Sequence, residues 1–557
     1  MGINPDALFS ILQTDLSDYL FEDNLSGAAA RALRSSFYKK FVDMEEQEAE
    51  QRAFDKFTTV NQRCADWKVD NLTDEQRIFF NELKNTLWRF EARSALGCLT
   101  LDHLFDRFRT GPGASLKARG TDFYTKVFDS RLSCTRLSLY EAWRLYTARD
   151  PRWLSSERKR SATHGPYLLV EGNSMSFVPK TNVIKRSICT EPNINMMLQL
   201  SIGSYIEDAL RKQYGLDLGI QPDKNRELSR RGSIDGSYGT IDLESASDSL
   251  ALTLLRPLLD RRFMALLELV RSRMSTYRGH HTELHMVSTM GNGYTFPLQT
   301  LLFAGVVITT ARMRGHKLRY PRSRSLGSFG VFGDDIIVER ELYDDVVTNL
   351  ETLGFKVNRS KSFNEGPFRE SCGHDYFDGQ NIRGVYVKTL TSVQDRFVLV
   401  NRLNDWTART GIPVRRTIAA LLQTVPFFPV PLGENDDAGI RVPYLFLRKR
   451  VRDKNCQSIL YRRWQAVPHE LKFLECGRII SPKGERRRQL NVDGAYLSFL
   501  QGSIRANRLP IRHDRIRYAK RIGISPNWDY IPMGPGISCR VGPGHLEDAY
   551  LLNFEGE

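Results

Sequence analysis

Residues 328–338 read SFGVFGDDIIV, and no other stretch of the chain constrains its architecture as strongly. Two apolar runs flank a Gly-Asp-Asp turn at 333–335, a pattern typical of a β-hairpin with an acidic tip. A helix is predicted after the hairpin, to about residue 353. Acidic turns are common in proteins, so this triplet by itself does not identify a function.

A second acid lies about ninety residues upstream, at the end of another short apolar segment. Residues 239–243 read GTIDL, which predicts a buried strand that ends at Asp242. If this strand pairs with the hairpin, Asp242 comes to lie near Asp334 within one metal-binding span. Carboxylates are the ligands that magnesium prefers, and paired ions can clamp both oxygens of an in-line phosphoryl displacement. The alternative is a pair of solvated acids at strand ends, and these two segments alone leave it open.

Charge indicates the kind of partner. The 557 residues include 80 Lys+Arg against 65 Asp+Glu, a formal net charge of +15. Such an excess favours a polyanion, because lysine and arginine displace counterions from phosphate backbones; a basic surface kept for solubility is the alternative. The hydrophobic fraction of 41% and the charged fraction of 26% exclude a collagen-like or wholly disordered chain.

Several common classes of motif are missing from the sequence. The longest strongly apolar run, 301–308, is far shorter than the roughly 20 residues of a membrane-spanning helix, so no membrane partner is expected. The N-terminus lacks the pattern of a signal peptide. The eight cysteines include no C-x-x-C pair, which argues against a zinc ribbon, and reduced thiols in a cytosol are expected. No G-x-x-x-x-G-K-[ST] loop is present, which argues against a P-loop ATPase.

Two basic regions lie far apart along the chain. The first, near residues 149–160, surrounds Trp153 and includes Arg158, Lys159 and Arg160. It is either a contact to a template strand through charge and stacking or an exposed loop. The second, 441–490, carries 14 Lys/Arg against 4 Asp/Glu and includes Arg448, Lys449 and Arg450.

The remaining segments are assigned coarse structure from their patterns. Residues 1–110 are predicted to be mainly helical, with a capping box at 73–76. Another helix is predicted from Asn193. The polar segment 221–239 is predicted to be a loop or a boundary, and the chain after about residue 400 to be helical again.

Other motifs accompany the acids. Asp248 lies six residues beyond Asp242, and Lys180, Lys185 and Arg186 form a cluster able to bind a triphosphate. Residues 288–295, STMGNGYT, predict a glycine-containing loop before an apolar helix, and glycine lets backbone approach a nucleotide closely. After the hairpin come GFKVN at 354–358, Lys361 and FRESCG at 368–373.

The order of these motifs resembles the palm of RNA-dependent RNA polymerases. More narrowly, it is similar to the replicase catalytic beta subunit of the single-stranded RNA bacteriophages, the levivirus group. The phrases MGNGYTF, GDDII and EGPFRESCG carry this similarity, which is strongest from about residue 178 to residue 390.

The resemblance implies a role for each matching residue. The expected metal-binding and catalytic acids are Asp242, Asp334 and Asp335. The expected protonator of leaving pyrophosphate is Lys361, with Lys356 as the second choice. The expected nucleotide-binding residues are Lys180, Lys185, Arg186, Asp248, Gly291, Asn292 and Thr295, among which Asp248 senses the ribose 2′-hydroxyl.

Three positions depart from the family pattern or stay ambiguous. Phe332 stands where such polymerases usually have tyrosine, and its ring is still expected to pack. Gln299 stands where many have asparagine, and its longer amide is expected to reach Asp248. Arg369 begins a segment that is either the primer grip of the family or a structural turn.

The resemblance also implies the fold. An α+β right hand of fingers, palm and thumb is expected, with an antiparallel palm sheet covered by helices. The expected domains are an N-terminal region and fingers at 1–235, with the basic motif at 178–192, a palm at 236–400, and a mainly helical thumb and C-terminal region at 401–557.

By the same resemblance, the chain is expected to replicate a viral single-stranded RNA genome by two-metal nucleotidyl transfer from ribonucleoside triphosphates. Two Mg²⁺ ions are the expected cofactors, with Mn²⁺ as a substitute. The expected partners are template and product RNA, host elongation factors Tu and Ts, and a ribosomal small-subunit RNA-binding protein. The expected location is the cytoplasm of the infected bacterial host.

Three other functions compete with this one. A reverse transcriptase shares the palm, and a preference for deoxynucleotides would favour it. A non-catalytic, RNA-binding replicase-like subunit would be expected to have lost one of the three acids, all of which are present. A metal-dependent sugar transferase explains neither the basic excess nor the order of the motifs.

Overall fold

The computed structural model describes most of the chain. The described residues are 3–41, 48–447, 451–452, 458–473, 478–480, 486–512, 516–526, 528–529 and 553. Helices and strands both run through these ranges, so the α+β class is confirmed.

The helices of the described ranges are concentrated before residue 425. They are α1 Pro5–Leu16, α2 Leu25–Ser36, α3 Ala49–Asp66, α4 Asp74–Ser94, α5 Leu101–Asp106, α6 Phe123–Phe128, α7 Leu137–Thr147, α8 Pro151–His164, α9 Asn193–Tyr214, α10 Gln221–Asp235, α11 Leu252–Leu258, α12 Arg261–Val270, α13 Thr295–Met313, α14 Tyr343–Thr352, α15 Val393–Thr410, α16 Arg415–Leu422 and α17 Val492–Leu500.

The strands are mostly short. They are β1 Ser133–Cys134, β2 Leu168–Leu169, β3 Gly172–Pro179, β4 Lys185–Thr190, β5 Tyr238–Ile241, β6 Leu243–Glu244, β7 Met274–Tyr277, β8 His280–Glu283, β9 Phe329–Phe332, β10 Asp335–Glu339, β11 Lys356–Val357, β12 Phe368–Ser371, β13 His374–Phe377, β14 Gln380–Asn381, β15 Pro429–Val430, β16 Ile440–Arg441, β17 Val451–Arg452, β18 Ile459–Val467, β19 His469–Phe473, β20 Arg478–Ile480, β21 Arg486–Gln489, β22 Arg508–Ile511 and β23 Arg517–Ser525.

The predicted helix signals are confirmed where they are strongest. Thr73 and Gln76 form the expected capping box at the start of α4, in which each side chain bonds the backbone N–H of the other residue. The helix predicted from Asn193 is α9, and Leu198, Ile202 and other residues of its apolar stripe are buried.

The segment at 221–239 is expected to be a loop or a boundary, and this expectation is wrong for residues 221–235. It forms α10, because pairs spaced by three residues, such as Asp223 with Arg226 and Glu227 with Arg230, stabilise its polar face. Its other face is buried at Leu228, which packs against Tyr238. Polar composition concealed a helix that covers the central sheet.

The central sheet has the strand order β5-β10-β9 and is antiparallel. The hairpin predicted from residues 328–338 is confirmed as β9 and β10, with Phe332 paired to Asp335. Ile337 faces α10, whereas Ile336 and Val338 belong to the main core on the other side. The sheet is therefore covered by helices on both faces, as expected of a palm.

Helix α13 lies in the main core, on the face of the sheet opposite α10. Among the described residues it is the one helix long and apolar enough to cross a membrane by length and composition, with a mean hydropathy of 1.3. However, 78% of that window is buried inside the protein, where the helix packs against α4, α9 and α14. Packing in the protein core accounts for its apolar character.

The two ends of the chain share a second core. Leu8, Leu33 and Phe37 from the N-terminal helices pack with Phe397 and Trp406 of α15 and with residues further along the chain. The predicted range 1–235 therefore does not pack as a single unit. The predicted domain boundaries themselves remain predictions.

The mainly helical character expected of 401–557 is wrong for the described residues. After α16, these residues form far more strand than helix, and all nine residues of β18 pair with β23. The adjacent Arg462 and Arg463 interrupt the alternation of polar and apolar residues that indicates a strand. Cross-strand backbone hydrogen bonds do not require that alternation, so a strand forms where the pattern gave no sign of it.

Phe37→Ala tests the shared core. Phe37 is fully buried, so we expect the substitution to destabilise this core by about 3–5 kcal/mol. Hydrogen exchange should speed up in α1, α2 and α15 and stay unchanged in α13. Phe21→Ala is the control, because Phe21 is 93% exposed. Equal protection of α15 in Phe37→Ala and in the unmodified chain would contradict the shared core.

Candidate active site

Strand register brings the predicted acids together. Asp242 follows directly after β5, Asp335 begins β10, and Asp334 lies in the turn before it. Because Ile241 pairs with Ile336 in an antiparallel ladder, Asp242 and Asp335 occupy neighbouring positions at the same edge of the sheet. The predicted pairing of the two acid-bearing segments is confirmed.

The turn that holds Asp334 rests on α13. Gly333 has φ +63°, and a Cβ there would overlap the ring of Phe296. Its N–H donates to Thr300 Oγ1 at 3.0 Å. The ring of Phe332 packs edge-on against Phe296 with centroids 4.6 Å apart, which confirms the expected packing without the tyrosine hydroxyl. These contacts hold the turn of the hairpin against α13.

Asp242 is held by residues that sequence reasoning did not assign to the site. Asn358 Nδ2 donates to Asp242 Oδ2 at 2.8 Å, and its backbone N–H donates to the Asp242 carbonyl at 2.9 Å. The Asp242 N–H in turn donates to Ser362 Oγ at 3.0 Å. Asn358 directly follows β11, just as Asp242 directly follows β5. A polar residue at the end of a short apolar segment was therefore the sequence feature that could have identified Asn358 as part of the site.

Asp335 is held by the turn of a second hairpin, β12–β13. Its Oδ1 accepts from the Cys372 N–H at 3.1 Å and from Ser371 Oγ at 3.4 Å. Cys372 has φ +46° and Gly373 has φ +77°, as in the two-residue turns that link antiparallel strands. The left-handed conformation of Cys372 is thus part of what directs its N–H at the carboxylate.

Arg369 begins the segment for which two roles are predicted, and its own side chain is structural. Its side chain is fully buried and donates five hydrogen bonds to backbone carbonyls, including 2.7 Å to Tyr238 O and 2.8 Å to Gly366 O. No part of the guanidinium is exposed for RNA. Arg369 therefore acts as a structural residue that fastens the second hairpin to β5.

Burial and mutual repulsion characterise the three acids. Burial raises the pKa of each carboxyl, and a neighbouring acid raises it further: Asp334 for Asp242, Asp335 for Asp334, and Asp242 for Asp335. Glu370 adds to the effect on two of them. Hard carboxylate donors crowded in this way fit a divalent cation, which would offset their repulsion.

Among the described residues, no group of three or more His, Cys, Asp or Glu side chains is arranged to hold a metal ion by itself. Magnesium is commonly bound by one or two carboxylates together with phosphates of the substrate. Asp242 and Asp334, or Asp334 and Asp335, are the pairs able to provide such carboxylates here.

Positive charge faces the acids from the predicted basic cluster and from Lys361. Arg186 and Lys180 lower the pKa of Asp334, which places both cations near this carboxylate. Lys185 instead pairs with Glu50 at 3.5 Å. The structure therefore brings two of the three predicted cations towards Asp334.

Lys361 acts on Asp242, because it lowers the pKa of that carboxyl against the effect of burial. Its Nζ is 3.1 Å from Glu370 Oε1. Burial would lower the pKa of the Lys361 ammonium, but Glu370 and Asp242 raise it above its ordinary value. Lys356, the second choice, pairs with Glu244 at 3.2 Å.

Asp248 is buried beside the glycine-containing loop. Its carboxylate accepts from the Met290 N–H at 3.1 Å and from Ser187 Oγ at 3.4 Å, and burial raises its pKa to about 6. The Gln299 amide lies instead beside Gly333, and no bond joins it to Asp248 within the described ranges. The expected contact between these two side chains is thus not formed.

The loop itself is shaped by close backbone contacts. Gly291 has φ +138°, and a Cβ there would overlap the carbonyl oxygen of Cys189 on β4. The Gly293 N–H donates to Gln199 Oε1 at 3.2 Å, and Gln199 Nε2 donates to the buried Glu191 at 3.0 Å. Sequence reasoning did not assign Gln199 to the site, because only the fold brings α9 to this loop.

Two predicted nucleotide-binding side chains make internal bonds in this loop. Asn292 Oδ1 accepts from the Tyr294 N–H at 3.2 Å, and Thr295 Oγ1 donates to the Thr289 carbonyl at 3.1 Å. Both side chains are largely buried. They hold the loop in its shape at the start of α13.

The first basic region contains one residue that does not bind RNA. Arg160 is fully buried, pairs with Glu157 at 2.6 Å and donates to three backbone carbonyls, so its assignment to RNA binding is wrong. Trp153 packs within an aromatic cluster. Arg158 is exposed and Lys159 half-buried, so both stay candidates. The second set, Arg448, Lys449 and Arg450, lies outside the described residues.

The chain is similar to one protein family and to individual members of it. The sequence model of the family described as RNA replicase, beta-chain, matches residues 31–445. The RNA-directed RNA polymerase beta chain of Enterobacteria phage fr is 38% identical over 247 residues, which cover 44% of this chain and 43% of that one. The RNA-directed RNA polymerase subunit beta of Qbeta virus (strain MX1) is 33% identical over 331 residues, covering 55% and 54%.

The chain spans about half the length of the curated relatives it matches. Among solved structures, the RNA-dependent RNA polymerase of a human picorbirnavirus aligns with a TM-score of 0.34 and 11% identity, covering 76% of this chain and 90% of that one.

Asp248→Asn tests the burial of that carboxyl. Because the pKa of Asp248 is raised to about 6, the folded chain takes up a proton that the unfolded chain does not bind until lower pH. The free energy of unfolding of the unmodified chain should therefore rise, relative to Asp248→Asn, as pH falls from about 7.5 to about 5. Exposed Asp344→Asn is the control, and denaturant titrations at each pH give the measurement. A difference that is constant with pH would contradict the burial.

Gly291→Ala tests the close approach of the loop to β4. Gly279 is the matched control, because it too has positive φ, at +84°, but has open space where a Cβ would lie. We expect Gly291→Ala to cost about 2 kcal/mol more stability than Gly279→Ala, because only the former forces backbone atoms apart. Calorimetric unfolding of both variants measures the difference. Equal losses would show that the loop is free to move away from β4.

Proposed function

The chain belongs to the RNA replicase beta-chain family, and from this premise we propose that it is an RNA-directed RNA polymerase of a single-stranded RNA bacteriophage. It copies an RNA template by transferring nucleotidyl groups from ribonucleoside triphosphates to a growing 3′ end and releases pyrophosphate. Template and product RNA and the four ribonucleoside triphosphates are its proposed partners.

One observation carries this proposal. Three half-buried carboxylates meet at one edge of an antiparallel sheet, and Asp334, at the tip, faces Arg186 and Lys180. Nucleotidyl transfer requires such an arrangement, because the reacting phosphate must lie between anionic metal ligands and cations that neutralise its charge. A binding subunit has no need to bury mutually repelling acids.

Two Mg²⁺ ions, with Mn²⁺ as a substitute, are the proposed cofactors, and they supply activation of the 3′-hydroxyl and stabilisation of the leaving group. Asp242, Asp334 and Asp335 fit such ions as hard donors. Asn358 donates to Asp242, and the Cys372 N–H donates to Asp335. These hydrogen bonds fix the orientation of both carboxylates. Lys180 and Arg186 attract the triphosphate towards Asp334.

Lys361 is the proposed proton donor to pyrophosphate. Burial would lower the pKa of its ammonium, but Glu370 and Asp242 more than offset that effect, and Glu370 fixes its position. Asp248 is the proposed sensor of the ribose 2′-hydroxyl. Met290 and Ser187 hold its carboxylate at the base of the loop, where Gly291 and Gly293 allow close backbone approach.

Further parts of the proposal follow from the resemblance to the phage replicases. Host elongation factors Tu and Ts and a ribosomal small-subunit RNA-binding protein are the proposed protein partners. The proposed location is the cytoplasm of the infected bacterium. A reverse transcriptase and a non-catalytic RNA-binding subunit remain the competing functions.

The decisive experiment is RNA-templated incorporation of labelled ribonucleotides by the full chain, purified with the bacterial proteins that remain bound to it. We expect Asp334→Asn to lower the rate by about a thousandfold or more, because it removes an anionic ligand from the reacting centre. Asp344→Asn is the matched control, since Asp344 is exposed on α14 and lies outside the site.

Several outcomes would contradict the proposal. Equal rates in Asp334→Asn and in the unmodified chain would remove Asp334 from the reaction. Faster incorporation of deoxynucleotides than of ribonucleotides would favour a reverse transcriptase. Absence of synthesis after addition of the host elongation factors would favour the RNA-binding subunit.

A further inference from the structure

The proposed mechanism does not use Glu191, a buried acid that directly follows β4. Its Oε1 accepts from Asn173 Nδ2 at 2.7 Å. Its Oε2 accepts from Ser272 Oγ at 2.7 Å and from Gln199 Nε2 at 3.0 Å. Burial raises the pKa of Glu191, and these three donors oppose that effect. The carboxylate therefore connects β3, α9 and the residues that follow α12.

Glu191 fixes the direction in which the Gln199 amide faces. Gln199 Nε2 donates to Glu191 and also to the Val270 carbonyl at 2.9 Å. Gln199 Oε1 is then free to accept from the Gly293 N–H at 3.2 Å. The reverse orientation would place the amide oxygen against two other oxygens and the amide nitrogen against an N–H donor. Glu191 thus acts on the glycine-containing loop through Gln199.

This loop is packed directly on the backbone of α9. A Cβ at Gly293 would lie 2.7 Å from the Leu200 backbone nitrogen, and a Cβ at Gly203 would lie 2.9 Å from the Gly293 carbonyl oxygen. Two glycines therefore allow helix and loop backbones to approach more closely than side chains would permit. At this close contact, the hydrogen bond from Gly293 to Gln199 determines where the loop sits along the helix.

The same loop holds Asp248. The Met290 N–H donates to Asp248 Oδ1 at 3.1 Å, and the Met290 carbonyl accepts from the Cys189 N–H at 2.8 Å. Only two residues separate Met290 from Gly293, so a displacement at one end of this short span moves the other. Loss of the bond between Gly293 and Gln199 would therefore shift the N–H that orients Asp248.

We propose that Gln199, oriented by Glu191, is a positioning residue that sets the selectivity of the site for ribonucleotides. This inference rests on the proposed function, because it takes Asp248 as the sensor of the ribose 2′-hydroxyl. Gln199 acts on the substrate through the loop and Asp248. A deoxyribonucleotide lacks the 2′-hydroxyl, so its binding should not depend on how the loop orients Asp248.

Asn195 provides a matched control on the same helix. It lies one turn before Gln199, is also fully buried and also donates to the Val270 carbonyl, at 2.9 Å. Its other hydrogen bonds join Thr135: Asn195 Nδ2 donates to Thr135 Oγ1 at 2.7 Å, and Asn195 Oδ1 accepts from the Thr135 N–H at 3.0 Å. Asn195→Leu therefore removes comparable buried hydrogen bonds and keeps the bond between Gln199 and Gly293.

Binding of GTP and of dGTP to the full chain, measured by calorimetry with magnesium, tests the proposal. Gln199→Met keeps the length of the side chain and removes its hydrogen bonds. We expect it to weaken GTP binding about tenfold and to leave dGTP binding unchanged, because only the ribonucleotide uses the 2′-hydroxyl sensor. Asn195→Leu should not change the ratio of the two affinities. An unchanged ratio in Gln199→Met, or equal changes in both variants, overturns the proposal.

Glu191→Gln tests the orienting role and keeps the proposal testable if Gln199→Met does not fold. The substitution preserves the shape of the side chain but leaves one acceptor oxygen where Glu191 uses two. We expect a smaller preference for GTP and about tenfold faster hydrogen exchange at the Gly293 N–H, with exchange unchanged in Asn195→Leu. Exchange in Glu191→Gln equal to that in the unmodified chain overturns the orienting role.

A double-mutant cycle with Asp248→Asn shows whether Gln199 acts through the sensor. Gln199→Met should lower the preference for GTP about tenfold in the unmodified chain and have no further effect in Asp248→Asn. An equal loss of preference in both backgrounds would mean that Gln199 acts independently of Asp248, which overturns the proposal.

Failure of this inference and failure of the proposed function give different results. If the chain does not synthesise RNA, the ratio of GTP to dGTP affinity and the exchange at Gly293 still test the role of Gln199. If the inference is wrong, RNA synthesis by the unmodified chain is unaffected, and Gln199→Met matches Asn195→Leu in its preference for GTP.

Discussion

The antiparallel pairing of β5 with β10 is the interaction on which the site depends. Because Ile241 lies opposite Ile336, Asp242 and Asp335 reach the same edge of the sheet, and the turn before β10 adds Asp334. A shift of one residue in this register would turn the side chains of β10 to opposite faces. It would then move Ile336 and Val338 from the main core to the face covered by α10 and direct Ile337 into the main core, so core packing and the position of the acids specify the same register.

Three acids that repel one another stay together because hydrogen bonds from several surrounding elements hold them. Thr300 holds the turn from α13, Asn358 holds Asp242, and the Cys372 N–H holds Asp335. Arg369 fastens the hairpin of Cys372 to β5 by carbonyl contacts alone. None of these groups adds charge of the same sign as the acids. The supporting shell thus fixes the carboxylates and leaves their charge for a cation to neutralise.

Long-range packing gives the N-terminal helices a place beside the reacting centre. Their core is shared with α15, so they are held by residues far along the sequence, and the Lys39 carbonyl accepts from the Asn182 N–H in the β3–β4 turn. Because the N-terminal helices pack with α15, the predicted unit 1–235 does not pack as one body. Contacts between chain ends are decided by the shape of the whole fold, which local patterns do not encode.

The sequence by itself determined the hairpin, the acids at strand ends, the strongest helices and the family, because each depends on local periodicity or on short motifs. It did not predict α10, which carries spaced ion pairs on its polar face and buries Leu228 against the sheet, or β18, where adjacent arginines interrupt the alternation of polar and apolar residues. Only the tertiary structure showed that Arg160 is buried and that Asn358, Cys372 and Gln199 support the site. The physical reason is that burial and hydrogen-bond partners depend on which distant segments meet, and a residue's type does not reveal its neighbours.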